Sequence, residues 1–241
     1  MMKNNKILKT LMWIFALVPA VFTAAVYKSL PDTMPMHYDV NGQVDRWGSK
    51  NELLIVVGTF LAVIIFITFQ IRGFEKRAEK TDDEKAKAGY INNAKVTTIV
   101  GLVTSAFMAV IYVCINLSGM KMVSENSDVL SMDVTRILCI GMRILFIALG
   151  NYVPKTRRNS LVGFRCSWTM YNDVTWAKSN RFASYLVVAV GVLAIILAFV
   201  MSNVMNALLI ITALIVVVTV ISLIYAHKIY VQEVNSGKDR D

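Results

Sequence analysis

The residues of this chain that could do chemistry in water are concentrated in two polar stretches. The first, residues 30–50, reads LPDTMPMHYDVNGQVDRWGSK and holds His37, Asp39 and Asp45. Histidine and carboxylates at short spacing can bind a metal or transfer a proton. However, the spacing of a calcium loop is absent, and Asp and Asn near a turn usually hydrogen bond to the turn's own backbone. We interpret these residues as structural, and expect no metal site and no cofactor.

The second polar stretch, residues 150–185, reads GNYVPKTRRNSLVGFRCSWTMYNDVTWAKSNRFASY and combines six basic residues with several aromatic ones. Indole rings settle at the depth of lipid headgroups, where Lys and Arg contact phosphates, so membrane anchoring explains much of this composition. The density of Asn, Gly and Pro also indicates a fixed backbone shape, and so a docking surface. We expect Asn172 to cap a helix that carries Trp176 and Asn180 on one face.

Arg143 is the third residue of interest, because it falls near the middle of a long apolar run, with Arg136 on the same helical face. A charge inside a membrane costs at least about 2.5–3.5 kcal/mol. Backbone carbonyls, Gln70, Asn116 or a ligand are candidate partners. Either the side chain faces the bundle interior or a wet cavity, or the helix is shifted so that Arg143 snorkels to the interface; the sequence favours neither.

Long apolar runs must position these residues. The chain has 241 residues, 56% of them hydrophobic, whereas soluble domains are typically near 45–50% apolar. A helix of twenty residues spans the roughly 30 Å hydrocarbon core of a bilayer. The runs are apolar all round, which disfavours a soluble bundle. The sequence therefore predicts an all-α integral membrane protein with six transmembrane helices, at residues 7–27, 53–71, 96–117, 134–153, 182–201 and 207–226.

The distribution of basic residues predicts the orientation. Of the 25 Lys and Arg, 19 lie in the two termini and in the second-to-third and fourth-to-fifth connections, while 4 lie on the opposite side. Basic residues accumulate on the cytoplasmic side, so both termini are predicted to be cytoplasmic. The basic N-terminus also resembles a secretory signal cleaved near Ala25, but we favour an uncleaved first helix. The net charge of +9 indicates contact with membrane lipids, and nothing in it requires nucleic acid.

Local signals predict the connections. Asn41-Gly42 between two partly alternating segments predicts a small extracytoplasmic β-hairpin with a type I′ turn. Residues 81–84, Thr-Asp-Asp-Glu, fit a capping box that starts a helix leading into the third span. The fifth and sixth helices are predicted to form an antiparallel hairpin joined near Ser202 to Asn206. The three cysteines, Cys114, Cys139 and Cys166, form no disulfide framework.

Known catalytic patterns are missing from the sequence. It contains neither an HExxH pattern nor a glycine-rich phosphate or dinucleotide loop. His37 and His227 are predicted on opposite sides of the membrane, and all 16 acidic residues lie outside the apolar runs. Proton-coupled transporters and intramembrane aspartyl proteases need acids within the membrane. We expect a non-enzymatic protein; a membrane enzyme would need His37 to meet Asp39 or Asp45 at a metal.

Both polar stretches also resemble a known family. Residues 30–50 resemble the bacterial membrane domain DUF1648, and residues 151–182 resemble the signature of the SdpI family of bacterial immunity membrane proteins. This chain has Arg165-Cys166-Ser167-Trp168 where the family often has Arg-Thr-Pro-Trp, and Asn180 where it often has His. The positions that carry the resemblance are Pro31, Pro35, His37, Gly42, Asp45, Trp47 and Gly48 in the first stretch, and Asn151, Pro154, Lys155, Asn159, Gly163, Arg165, Trp168, Thr169 and Trp176 in the second.

The resemblance implies a domain organisation. Residues 1–72 form a DUF1648-like region with its outer loop at 28–52, and residues 73–95 form a cytoplasmic connection. Residues 96–226 form an SdpI-like region with its cytoplasmic loop at 151–181, followed by a cytoplasmic tail at 227–241. The protein is expected in the bacterial plasma membrane.

The resemblance also implies a function: protection against a secreted membrane-active peptide toxin, and in some members the recruitment of a cytoplasmic transcriptional repressor. Nothing in the residues identifies the toxin or the oligomeric state. The alternative is a small channel or transporter for an anionic solute, with Arg143 lining the path. The outer residues expected to contact a ligand are Pro35, His37, Asn41, Gly42, Asp45, Arg46 and Trp47. The inner residues expected to contact a partner are Asn151, Pro154, Lys155, Asn159, Gly163, Arg165, Trp168 and Trp176.

Overall fold

Six helices and one pair of strands make up the described part of the chain. The structure, a computed structural model, describes residues 2–39, 42–129, 132–200 and 204–238; the side chains of 2–4, 132–139, 198–200, 204–208 and 237–238 lie outside that description. In chain order the elements are α1 (Met2–Val26), β1 (Thr33–Tyr38), β2 (Val44–Ser49), α2 (Glu52–Lys80), α3 (Glu84–Glu125), α4 (Met132–Tyr152), a 3₁₀ turn (Val153–Lys155), α5 (Asp173–Val200) and α6 (Val204–Lys238).

The helices have the length and composition of membrane spans. Within the described residues, five segments are long and apolar enough to cross a bilayer: Asn5–Val26, Glu52–Lys80, Glu84–Glu125, Asp173–Leu197 and Leu209–Ser236. Each is covered with apolar side chains that stay exposed on the isolated chain, as lipid contact requires. The predicted class, a helical membrane protein, is therefore confirmed. The predicted fourth span falls on α4, whose first eight side chains lie outside the described residues.

Helix α3 is central to the packing. It contacts α1 and α2 on one side and α4 on the other, and α5 packs between α4 and α6. Met12 of α1, Ile64 and Phe74 of α2 and Ala94 of α3 belong to one buried cluster. The two halves of the molecule are thus joined through α3, and each end of this helix carries one of the two polar stretches.

The connection between α2 and α3 is shorter than predicted, because both helices extend into it. α2 ends at Lys80 and α3 begins at Glu84. The predicted capping box assigned the cap to Thr81, which is wrong: Asp83 is the N-cap, and its side chain accepts a hydrogen bond from the Lys85 N–H at 2.8 Å. Thr81 instead ends α2 in an extended conformation. A carboxylate one residue before the first turn also interacts favourably with the helix dipole.

Strands β1 and β2 form an antiparallel pair, with Thr33 opposite Ser49 and Tyr38 opposite Val44. The pair is joined by the loop that follows α3: the Val44 N–H donates to the carbonyl of Asp128 at 2.8 Å. The sequence assigned no role to that loop. It supplies one hydrogen-bond acceptor to a strand edge that would otherwise be unpaired there.

The turn between the strands differs from the predicted one. A type I′ turn centred on Asn41 and Gly42 would pair Val40 with Gln43. Instead, the Asp39 N–H donates to the Gln43 carbonyl at 2.7 Å, and the Gly42 N–H donates to the Asp39 carbonyl at 3.0 Å. Gly42 has a φ of 79°, which glycine adopts without steric cost. The predicted turn type is therefore wrong, and Asn41 itself lies outside the described residues.

Candidate functional site

The strand pair is docked on the C-terminal end of α3. Pro35 and Met34 of β1 lie against Gly119, where an added Cβ would come within 3.0 Å of the Pro35 Cγ. Met34 also packs in a buried cluster with Leu30 and Leu53. Because glycine is the smallest residue, Gly119 allows the strand to approach the helix closely. This docked surface, β1, β2 and their turn, is called the outer cap below.

The outer cap exposes most of its predicted contact residues. His37 Nδ1 lies 2.6 Å from Asp45 Oδ1, and Arg46 lies 2.9 Å from Glu52. Trp47 is 39% exposed, an unusual amount for an indole. Among the described residues no three His, Cys, Asp or Glu side chains are placed to hold a metal ion. His37 and Asp45 thus form a hydrogen-bonded pair on the surface, whereas Pro35 is buried.

Two ionisable groups in and beside the outer cap have shifted pKa values. A hydrogen bond from Lys50, and the charge of the same residue, lower the pKa of Asp32. Burial raises the pKa of Tyr38 to about 12. The Tyr38 hydroxyl is buried and has no hydrogen-bond partner among the described residues. The outer cap therefore contains one polar atom whose burial is uncompensated.

At the other end of α3, the second polar stretch folds onto the helix through one asparagine. The Asn93 Oδ1 accepts from the Arg157 N–H at 2.8 Å, and the Asn93 Nδ2 donates to the Arg157 carbonyl at 3.2 Å. The neighbouring Asn92 donates to the Lys155 carbonyl at 2.5 Å. Asn93 is buried, so its side chain supplies the hydrogen-bond partners that water cannot supply to the backbone N–H and carbonyl of Arg157. Residues 153–181 are called the inner loop below.

Trp176 of α5 is the largest fully buried side chain of the inner loop. Its Nε1–H donates to the Thr156 carbonyl at 2.9 Å. Gly163 lies against the indole face with a φ of +135°, and a Cβ there would be 2.5 Å from the ring. Asn180 accepts from the Phe164 N–H at 2.8 Å. The loop backbone therefore packs around the Trp176 ring. Gly163 allows the close approach to the ring, and Asn180 satisfies a backbone N–H of the loop.

Local hydrogen bonds complete the inner loop. The Asn172 Oδ1 accepts from the Thr175 N–H at 2.8 Å at the start of α5, which confirms the predicted cap. The Asn159 Oδ1 accepts from the N–H groups of Leu161 and Val162. Arg158 donates to the Met170 carbonyl at 3.0 Å and pairs with Asp173. These side chains satisfy backbone groups in and beside residues 156–172, a segment without strands or helices.

Helix α6 closes the loop from the other side, a contact that the sequence did not predict. Lys178 lies 3.5 Å from Glu233, which also accepts from Asn172. The rings of Trp168 and His227 meet edge to face with centroids 4.8 Å apart. His227 and Glu233 lie near the C-terminal end of α6, far from the loop in sequence. No local sequence pattern therefore identifies them as contacts of the inner loop.

The predicted inner contact residues thus divide into three groups by their burial. Asn159 and Trp176 are buried and bond within the loop, and Gly163 lies against the indole, so these residues maintain the loop's shape. Pro154 and Trp168 are half-buried. Asn151, Lys155 and Arg165 are exposed.

Arg143 lies away from both ends of α3, in a crevice between α4, α5 and α6. It is only 5% exposed, so it faces the bundle rather than snorkelling. Its Nη1 is buried without a hydrogen-bond partner among the described residues. Of the predicted partners, Asn116 donates to the Tyr112 carbonyl in its own helix. Gln70 belongs to α2, and the side chains lining the crevice belong to other helices.

Long apolar helices with a folded structure at each end define a multi-pass membrane protein. Residues 14–63 match a family model described as a domain of unknown function, DUF1648, and residues 155–226 match one described as the SdpI/YfhL protein family. The chain thus resembles DUF1648 in its N-terminal part and the SdpI/YfhL family in its C-terminal part, and it is a multi-pass bacterial membrane protein. The second match covers most of the inner loop, α5 and the greater part of α6.

Two proteins illustrate the range of similarity. The chain is 22% identical over 208 residues to a Bacillus subtilis (strain 168) protein named Immunity protein SdpI, which covers 85% of this chain and 87% of that one. It is 35% identical over 71 residues to an uncharacterized protein of Archaeoglobus fulgidus, covering 28% of this chain and 35% of the other. No solved structure matches the chain.

Proposed function

We propose that this protein is a membrane immunity protein that protects the cell against a secreted, membrane-active peptide. The observation that supports it most is the similarity to Immunity protein SdpI along 85% of the chain, which includes both folded ends. The outer cap and the inner loop are suited to binding rather than catalysis. The outer cap carries exposed aromatic and charged side chains, and the inner loop carries an exposed basic surface around Arg165.

The proposed topology has six spans, with α4 as the fourth, both termini in the cytoplasm and the outer cap outside. Asn93 and Gly119, which hold the inner loop and the outer cap, are 26 positions apart on α3, about 39 Å at 1.5 Å per residue. That distance exceeds the roughly 30 Å of a hydrocarbon core, so the two structures fit on opposite sides of one membrane. The basic residues of the inner loop favour a cytoplasmic position for it.

The test is survival of a toxin-sensitive bacterium that expresses the chain and is exposed to a sporulation-delaying-type peptide. We expect protection by the unaltered protein and its loss in Trp47→Ala and Arg165→Ala, with equal amounts of each variant in the membrane. Lys121→Ala at the outer end of α3 and Arg181→Ala at the last residue of the inner loop are matched exposed controls, and both are expected to protect. Survival no better than that of cells without the protein, at any dose, would remove this function.

In the fuller form of the proposal, the inner loop holds a cytoplasmic repressor at the membrane once the peptide is bound. Its support is the exposed basic set at Lys155 and Arg165, which suits an acidic protein surface. DNA-binding regulators are to be quantified in the membrane fraction before and after exposure to the peptide. One regulator should move to the membrane with the unaltered protein but not with Arg165→Ala. Equal recruitment by both proteins contradicts the relay.

The topology has its own test. Intact cells are labelled with a membrane-impermeant maleimide. Two variants are compared, each with its other cysteines replaced: one carries Thr33→Cys in the outer cap, and the other keeps the native Cys166 in the inner loop. Thr33→Cys should react and Cys166 should react only after lysis. The reverse pattern would invert the topology, and with it the assignment of the two surfaces.

A further inference from the structure

The crevice that holds Arg143 has the chemistry of a binding site. It lies between α4, α5 and α6 and has a volume of about 200 Å³. Arg143 is its one charged lining residue among those described, and Thr219 adds a hydroxyl that already donates to the Ile215 carbonyl. The apolar lining residues are Met142, Phe146, Val187, Val190, Ala194, Ile211, Ile215 and Val218.

Among the described side chains of the surrounding helices, no carboxylate is placed to neutralise Arg143. Between residues 134 and 232 the sequence contains one acid, Asp173, which pairs with Arg158 in the inner loop. Asp133 is ten positions from Arg143 on α4, about 15 Å along the helix. A buried guanidinium without an anion carries a desolvation cost of several kcal/mol, which a bound anion would offset. The crevice is therefore complementary to a negative charge.

The crevice is reached from the lipid side. Met142 of α4 and Ile215 of α6 line it and are 49% and 43% exposed. Arg143 is seven positions from Gly150, whose carbonyl accepts from Ser184 where the inner loop begins. This places Arg143 about 10 Å along the helix from that end of the bundle, below the headgroups. An occupant must therefore carry its charge into the hydrocarbon region, as an amphiphile with a single apolar chain can do.

We propose that this crevice binds the carboxylate of a free fatty acid from the bilayer, with Arg143 as the carboxylate-binding residue. The proposal is independent of the immunity function. A volume of about 200 Å³ is below the roughly 300–1,000 Å³ of sites for larger ligands, and fits a head with the first part of one chain. The planar guanidinium matches a carboxylate with two parallel hydrogen bonds. A phospholipid phosphate remains at headgroup depth.

The test is photo-crosslinking of the purified full-length protein in lipid nanodiscs with a long-chain fatty acid that carries a diazirine on its chain. Its methyl ester is the uncharged comparison. We expect the acid to label α4, α5 and α6, and the ester to need at least about tenfold more reagent for equal labelling, because the charge is absent. Arg143→Gln should show the same loss with the acid, and Arg143→Lys should recover part of it. Val190→Phe, which fills the crevice while Arg143 stays, should also reduce labelling.

Arg72→Gln on α2 is the matched control, since it removes an exposed arginine near a membrane surface; its labelling should be unchanged. The proposal is overturned if the acid and the ester label the unaltered protein equally. It is also overturned if the acid labels the unaltered protein and Arg143→Gln equally. The acid–ester comparison needs no variant, so it decides the matter even where Arg143→Gln does not fold. A phosphatidylglycerol that displaces the fatty acid more effectively than an unlabelled fatty acid would assign the crevice to a phosphate instead.

Discussion

The side chain of Asn93 in α3 makes two hydrogen bonds to the backbone of Arg157 in the inner loop: it accepts from the N–H at 2.8 Å and donates to the carbonyl at 3.2 Å. The asparagine thus pairs with the loop as a strand backbone would. A helix has no free backbone groups in its interior, so only a side chain can make this contact. The inner loop consequently depends on α3 for its position.

Replacing Asn93 should therefore destabilise the inner loop. We expect Asn93→Ala to lower stability by about 1–3 kcal/mol, because two backbone groups of Arg157 would lose their partner in a buried site. Asn92→Ala is the matched control, since Asn92 makes one bond from a more exposed position. Thermal unfolding of both variants in detergent measures the difference. Equal melting temperatures for the two variants would show that the loop is held by other contacts.

Gly163→Ala should disrupt the same loop by a different route. The residue has a φ of +135°, and the added methyl group would lie 2.5 Å from the Trp176 ring. Strained backbone at such a position costs on the order of 1–3 kcal/mol. Gly73→Ala in α2, where nothing lies within 4 Å of the added Cβ, should be neutral or stabilising by about 1 kcal/mol. Tryptophan fluorescence during unfolding reports on both variants, and a Gly163→Ala protein as stable as Gly73→Ala contradicts the packing described.

Gly119→Val should detach the outer cap from α3. An added Cβ would come within 3.0 Å of Pro35 and 3.3 Å of Met34, so the strand would have to move. Gly58→Val is the matched control, because it makes the same change in a helix where nothing lies within 4 Å. We expect faster proteolysis within residues 30–50 for Gly119→Val and no change for Gly58→Val. Identical cleavage rates would mean that β1 does not depend on this contact.

Tyr38→Phe should leave stability at neutral pH unchanged or raise it by up to about 1 kcal/mol, because it removes a buried hydroxyl without a partner. The folded-state pKa of about 12 exceeds the ordinary value of 10. Folding therefore keeps this phenol neutral, so the ionisation of Tyr38 does not affect stability below pH 10 and lowers it as the pH rises from 10 towards 12. Tyr38→Phe should show a smaller loss of melting temperature in that window. Tyr185→Phe, at an exposed tyrosine, is the control and should behave like the unaltered protein.

Much of the fold follows from local patterns in the sequence. Seven of the twelve helix ends lie within five residues of the predicted apolar runs, since burial of backbone groups in lipid admits few other conformations. The other five ends, in α2, α3, α5 and α6, extend 8–12 residues beyond those runs. Asn172 was predicted as a cap because its role depends on residues three positions away. The capping-box pattern of residues 81–84 predicts Thr81 as the cap of α3, but the observed cap is Asp83. Both residue types are good caps, and only the end of α2 at Lys80 decides between them.

What the sequence by itself determined is the membrane class, the approximate spans and the two polar stretches that interrupt them, because hydropathy and turn chemistry act over short distances. Only the tertiary structure decided which residues these stretches contact. The partner of Arg157 is 64 positions away at Asn93, and Asn172 meets Glu233 across 61 positions. Arg143 is conspicuous in sequence, but its crevice is formed by three helices. Such contacts depend on how helices pack against one another, and no local pattern encodes that geometry.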